Sequence, residues 1–297
     1  MFKSLKQKTG GVLNYSDYKR PTFKVIYLLI ILFLFIAVLT ALIPPLWLFL
    51  SSFKEAEELT SVPYQLFPKV FNIGKLLDVW RILNFGEYFL NTIIVVLGAV
   101  ICSVVFNGLL AYTFAIIRPS GYKFFYTLVL GSYMIPAFSS IVPLFKQIVD
   151  FNLINSYLPL WLMFGANAFY LIMMKNYFES LPKSIFEAAA MDRCSPLKTF
   201  FLIVVPLSKP ILSVVAIFTM TAAWSDFLLP YLVLTDNDMM TVMVKIYDLQ
   251  STMGSIQGFG PDKLLMVLTI SILPQIIIFA LFQKQITANS YASAIKE

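Results

Sequence analysis

The sequence predicts an all-α integral membrane protein with six transmembrane helices and both ends on the cytoplasmic side. Three observations predict it. The 297 residues are 59% hydrophobic and 13% charged, with a mean hydropathy of +0.80; a soluble chain of that length needs more polar surface to cover its core. Six apolar runs reach the ~20 residues that a bilayer crossing takes, at 25–53, 88–117, 124–145, 151–174, 210–235 and 264–283. Lysine and arginine divide 15 to 7 in favour of the side that carries the N-terminus, which makes that side cytoplasmic.

Taken in order, residues 1–24 form a cytoplasmic segment with six basic residues. The apolar run behind them is too long for a cleaved signal and is followed by no small-residue cleavage site, so it reads as a retained anchor. The connector 54–87 carries Pro63, Pro68, Gly74 and Gly86. Its Leu76, Leu77, Val79, Trp80 and Leu83 suggest a short amphipathic helix at the extracytoplasmic surface. A core of five further spans occupies 88–283, and a short tail follows at 284–297. Prolines fall inside several spans (Pro44, Pro45, Pro136, Pro143, Pro159, Pro230 and Pro274). Each is consistent with an ordinary kink or with a helix broken where a cavity re-satisfies the backbone.

Several function classes are excluded by composition. With no histidine and two cysteines, Cys102 in a span and Cys194 in a basic loop, there is no histidine-based triad, no disulfide framework and no zinc pattern. The +6 net charge is spread over several loops, without the basic stripe that nucleic-acid binding needs. No phosphate-binding G-x-x-x-x-G-K-[ST] loop occurs.

The longest basic segment between spans is 175–209, with Lys175, Lys183, Arg193, Lys198 and Lys209. Ser184 and Glu187 have capping-box spacing. Glu187 to Met191 are good helix formers. Ser195 offers an N-cap with Pro196 at the first helical position, and Pro206 and Pro210 limit the second helix. Ala188, Ala189 and Ala190 put almost no bulk on one turn, so another protein can approach the backbone there, with Glu187 available to a cation on that partner. A solvated surface helix is the plain alternative.

This segment resembles the E-A-A loop of the permease subunits of binding-protein-dependent ABC importers. Glu187, Ala188, Ala189, Asp192, Phe200, Ile203 and Pro206 match the family pattern, while Arg193 stands where the family has Gly and Val205 where it has Leu. Ser51-Ser52-Phe53-Lys54, Phe89-Leu90-Asn91-Thr92, Ala111-Tyr112-Thr113-Phe114-Ala115, Met134-Ile135-Pro136 and Leu181-Pro182 extend the likeness to the carbohydrate branch, in particular to maltose-type G subunits and multiple-sugar permeases. The tail at 284–297 lacks the glycine-rich ending common in that branch.

The resemblance implies a type I ABC importer permease fold and a pathway subunit that is not itself an enzyme. It implies a second permease, two ATPase subunits, an extracytoplasmic binding protein and a sugar as partners, in a prokaryotic cell membrane. This chain binds no cofactor, with ATP and magnesium on the partner ATPase. Glu187, Ala188, Ala189, Asp192, Arg193 and Pro206 would belong to the loop that docks the ATPase. A left-handed turn at Arg193 costs a non-glycine residue about 1 kcal/mol, so we expect the helix to run on and turn at Cys194 and Ser195, before Pro196.

Asp226 is the one ionisable residue inside an expected span. It belongs either to the substrate path or to an interfacial helix end, with Trp224 in the aromatic belt. Tyr133, Asn107, Asn167 and Tyr170 lie within spans and either line a sugar path or pack. Two other classes fit some of these features. One is a membrane scaffold whose basic loop binds a cytoplasmic partner; the other is the permease role for a non-sugar such as glycerol phosphate.

Overall fold

The computed structural model describes residues 21–252 and 258–294. Residues 1–20 of the expected N-terminal segment and 295–297 of the tail lie outside the described residues. Every regular element among the described residues is helical. The chain forms two compact units, Met1–Asn72 and Ile73–Glu297.

The first unit contains α1 (Pro21–Ser52) and α2 (Ala56–Leu59). Within α1 the stretch Lys24–Ser52 is 29 residues long and apolar enough to cross a bilayer. Pro44 and Pro45 sit inside it without ending it. The connector folds back on the helix end: Trp47 Nε1 donates to the Tyr64 hydroxyl at 2.6 Å, and the buried Lys54 ammonium donates to the same hydroxyl at 3.1 Å and to the Gln65 carbonyl. Burial raises the Tyr64 phenol, but hydrogen bonds led by Lys54 outweigh it and hold it below the usual tyrosine value.

The second unit begins with α3 (Gly74–Ile82), the expected short connector helix, which buries Lys75 and Val79. The helix α4 (Phe85–Ile117) is 33 residues long. Two of its stretches, Ser103–Asn107 and Thr113–Ile117, are π-helical. A side-chain bond to a carbonyl one turn back accompanies each. Asn107 Nδ2 donates to the Ser103 carbonyl at 2.9 Å, and Thr113 Oγ1 donates to the Leu109 carbonyl at 2.9 Å.

Then come α5 (Tyr122–Tyr133), α6 (Ile141–Asp150), α7 (Leu158–Gly165) and α8 (Ala168–Glu179). They are followed by α9 (Lys183–Met191), α10 (Pro196–Leu207) and α11 (Lys209–Ser225). The last three are α12 (Leu228–Val233), α13 (Val242–Ser251) and α14 (Pro261–Ala294). Among the described residues, three helices are long and apolar enough to cross a membrane, and up to six spans result if each bent helix pair counts as one.

The breaks have local causes. Asn167 ends one helix and starts the next, its side chain capping α8 by accepting from Tyr170 N at 3.1 Å, and α7 and α8 meet at 44°. Between α10 and α11 the chain bends by 85° at Ser208. The expected run 210–235 is interrupted: α11 stops at Ser225 and Asp226 is extended. The run 124–145 is likewise split at Met134–Pro136.

The core of this unit sits where α4, α8, α10 and α11 converge, around Tyr112, Phe114, Leu171, Met174, Phe178, Phe200, Val204 and Val215. A second cluster joins α4, α6, α7 and α12 through Val95, Ile148, Leu160, Leu229 and Val233. The crossing of α4 and α7 depends on small residues, since a Cβ on Gly98 would lie 2.2 Å from the Trp161 indole. Close backbone approach of this kind drives helix association in lipid, where apolar burial alone gives little preference.

Candidate functional site: the coupling loop and the span interior

The loop between α8 and α11 is a helix, a tight corner and a second helix. The inner face of α9 carries Ala189, which is buried, and Phe186, which packs against the main core cluster. Its outer face exposes Glu187, Ala188, Ala190 and Met191, the last 83% exposed. The α9 N-terminus departs from expectation. The helix begins at Lys183 after Pro182, without a side-chain cap from Ser184.

The corner also departs from expectation. Arg193 takes the left-handed conformation itself, at φ 53°. Arg193 N donates to the Ala190 carbonyl at 3.1 Å and Cys194 N donates to the Ala189 carbonyl at 2.9 Å. These are the two bonds of a Schellman cap, and they require the left-handed residue at the position after the cap, Asp192. Ser195 then caps α10, its hydroxyl accepting from Lys198 N, with Pro196 at the first helical position. Within α10, Phe200–Val204 is π-helical; Pro206 lacks an N–H and its ring displaces the carbonyl four residues back. Pro206 itself is exposed.

Beside α9, reaching its exposed face at Glu187, lies an open cavity of about 380 Å³, lined by Ala115, Arg118, Glu179, Lys183, Phe186 and Glu187 among others. Arg118 also has positive φ, at 50°. Its guanidinium donates to the Ala115 carbonyl and to Glu179 Oε1, each bond lying between 2.8 and 2.9 Å. Lys175 donates to Glu179 Oε2 at 2.9 Å and sits over the Tyr126 ring. Two cations from α4 and α8 thus converge on one carboxylate just before α9. In sequence these residues registered only as topological charges.

Of the span residues singled out above, four are linked. Asn107 is 2% exposed; it donates to the Phe164 carbonyl at 2.9 Å, and its Oδ1 accepts from Asn167 N at 2.9 Å. Asn167 caps α8 at Tyr170, which is buried. Tyr133 is exposed and stacks on Phe169, at 6.4 Å and 18°, and Phe169 contacts Tyr170 at 6.0 Å. Nearby, Thr219 Oγ1 donates to Ser103 Oγ at 2.9 Å.

Trp224 is not a belt residue. It is 4% exposed, donates from Nε1 to the Ser271 carbonyl of α14 at 3.0 Å and packs on Phe89. Asp226 is partly exposed at the break between α11 and α12, with the backbone N–H groups of Phe227, Leu228 and Leu229 about its carboxylate. Sequence reasoning missed what stands beside it. Phe227, Tyr231 and Tyr247 form a three-ring cluster. The four-residue spacing of the first two is a legible helix-face signal; the third arrives from α13 across a loop and left none.

Residues 105–288 match the family described as "Binding-protein-dependent transport system inner membrane component". The chain belongs to this family. The permease is 31% identical to the diacetylchitobiose uptake system permease protein NgcG of Streptomyces coelicolor over 84% of its own length and 82% of that protein. It is 30% identical to the arabinooligosaccharides transport system permease protein AraQ of Halalkalibacterium halodurans, over 98% of this chain and 100% of that one. It is also 30% identical to the trehalose/maltose transport system permease protein MalG of Thermococcus litoralis, over 91% and 96%.

The fold of the permease matches a chain from the crystal structure of a bacterial ABC transporter involved in the import of the acidic polysaccharide alginate. The TM-score is 0.77 at 23% identity, covering 92% of this chain and 99% of that one. Together these matches support the type I ABC importer permease fold.

Proposed function

We propose that the permease is the pathway subunit of an ATP-driven importer for a carbohydrate, in particular an oligosaccharide. An extracytoplasmic binding protein delivers the sugar, a second permease completes the path, and two ATPase subunits supply the energy. Six spans with both termini cytoplasmic place the loop that holds α9 on the side where ATP is. Asp226, Tyr133 and Asn167, the three accessible members of the sequence-derived set, belong to the path, and the buried Asn107, Tyr170 and Trp224 shape it from behind. The sugar assignment is supported by relatives named for diacetylchitobiose, arabinooligosaccharide and trehalose/maltose transport.

One observation carries the coupling reading. The face of α9 turned away from the core is Glu187, Ala188 and Met191, all exposed. A flat alanine turn edged by a carboxylate and a flexible thioether suits a protein groove better than it suits water. The scaffold alternative asks for no such shape.

The experiment is Glu187→Lys in the purified membrane complex. Reversing a charge that becomes desolvated on docking leaves an unpaired buried charge on both sides. We expect ATPase subunits to be lost from the complex and uptake to cease. Normal ATPase retention with normal uptake would falsify the coupling role of this loop.

A further inference from the structure

Three aromatic rings gather at the end of α11, beside Asp226 in the sequence. The Phe227 and Tyr231 rings stack at 5.2 Å and 27°. Tyr247, from α13, closes the group at 4.9 Å from Phe227 and 5.1 Å from Tyr231. A cluster built for packing buries its rings, yet Tyr231 is 45% exposed and Tyr247 44%. Among the described residues, neither phenol has a hydrogen-bond partner. Asp226 immediately precedes Phe227 and is itself partly exposed.

The surroundings decide what this face looks at. A carboxylate is costly against acyl chains, so Asp226, which is partly exposed, turns to the bundle interior or a water-filled cavity and not to lipid. The helix that brings Tyr247 also carries Lys245, Asp248 and Gln250, with Lys245 Nζ donating to Asp248 at 2.7 Å; it lies outside the hydrocarbon. Belt tyrosines stand singly at headgroup depth and need no carboxylate. A water-facing surface of aromatic faces, free phenols and one acceptor has a natural complement in a pyranose or furanose ring. The C–H face of the sugar covers an aromatic face, and the hydroxyls around its edge reach the phenols and the carboxylate. The backbone N–H groups near Asp226 leave acceptor capacity on its two oxygens.

We propose that Asp226, Phe227, Tyr231 and Tyr247 form a sugar-stacking subsite at the extracytoplasmic mouth of the permease, which takes one ring of the incoming carbohydrate. This rests on the carbohydrate reading above and adds the residues that make the contact.

The test uses the complete transport complex and a labelled mixture of di- to tetrasaccharides built from glucose, galactose, arabinose and N-acetylglucosamine. Tyr231→Leu and Tyr247→Leu keep apolar bulk and remove the aromatic face; Tyr231→Phe and Tyr247→Phe keep the face and remove the hydroxyl. For the imported sugar, each Leu variant should lower the maximal uptake rate about three- to tenfold with ATPase subunits retained and half-saturation, set by the binding protein, unchanged, the loss expected for one ring contact, while each Phe variant stays within about twofold. Leu variants with a wild-type maximal rate, or with ATPase subunits lost, overturn the subsite and leave the carbohydrate reading standing. A wild-type complex that imports no member of the mixture overturns the carbohydrate reading, and this inference with it.

Discussion

Arg193 shows what a single residue costs at a fixed corner. The Schellman bonds to the Ala189 and Ala190 carbonyls form only if the residue after Asp192 turns left-handed, and the permease makes that turn with an arginine. The expectation of a corner moved to Cys194 failed because it counted the strain of one residue and not the two carbonyls that a longer helix would leave open at its end. Arg193→Gly should therefore stabilise the complex by about 1 kcal/mol, seen as a raised melting temperature with uptake within about twofold of wild type. A lowered melting temperature would mean that the guanidinium contributes more than the backbone loses. Ser195 and Pro196 were legible in sequence because an N-cap followed by proline has one local meaning. Ser184 was not, since its capping box competed with Pro182, which already caps the helix two residues earlier.

At the scale of elements, apolar runs located the spans, but their breaks came from side chains that hydropathy does not weigh. Pro44, Pro45 and Pro274 are inside continuous helices, whereas Asn167 and Asp226 mark real interruptions. Both are short polar side chains that bond backbone N–H groups outside the helical ladder. Two of the three partners of Asn107 lie about sixty residues away in sequence, so nothing local announced them. The ion pairs separate by burial. Lys75 Nζ and Asp262 Oδ2 are 2.8 Å apart with side chains 3% and 9% exposed, joining α3 to the first turn of α14. Asp262→Asn removes one partner of a buried pair and should destabilise the unit by more than the loss of an exposed pair does. The Arg118–Glu179 pair is a third to nearly half exposed, so Arg118→Gln, which leaves Lys175 on Glu179, should cost less than about 1 kcal/mol. Thermal unfolding of both variants in detergent checks the order; equal losses would contradict it.

For the whole molecule, the charge bias and the loop motif use different residues and lead to the same orientation. Ser61 in the connector and Lys198 in α10 lie on opposite sides of the membrane under the proposed topology. A membrane-impermeant thiol reagent added to intact cells should label Ser61→Cys and spare Lys198→Cys; the reverse pattern would invert the permease. What the sequence left hidden at this scale was three-dimensional convergence, as at the three-ring cluster, because residues on separate helices carry no mark of meeting. The bare surface of α1 has a consequence in biosynthesis. None of its most apolar window is buried, and its backbone bonds are satisfied within the helix. It can therefore leave the translocation channel and rest in lipid as soon as it is made, as an anchor that waits for nothing. The stretch from α11 to α12 has no such freedom. Its extended backbone at Asp226 needs water or neighbouring helices about it, so this part of the chain takes its place together with the helices that follow.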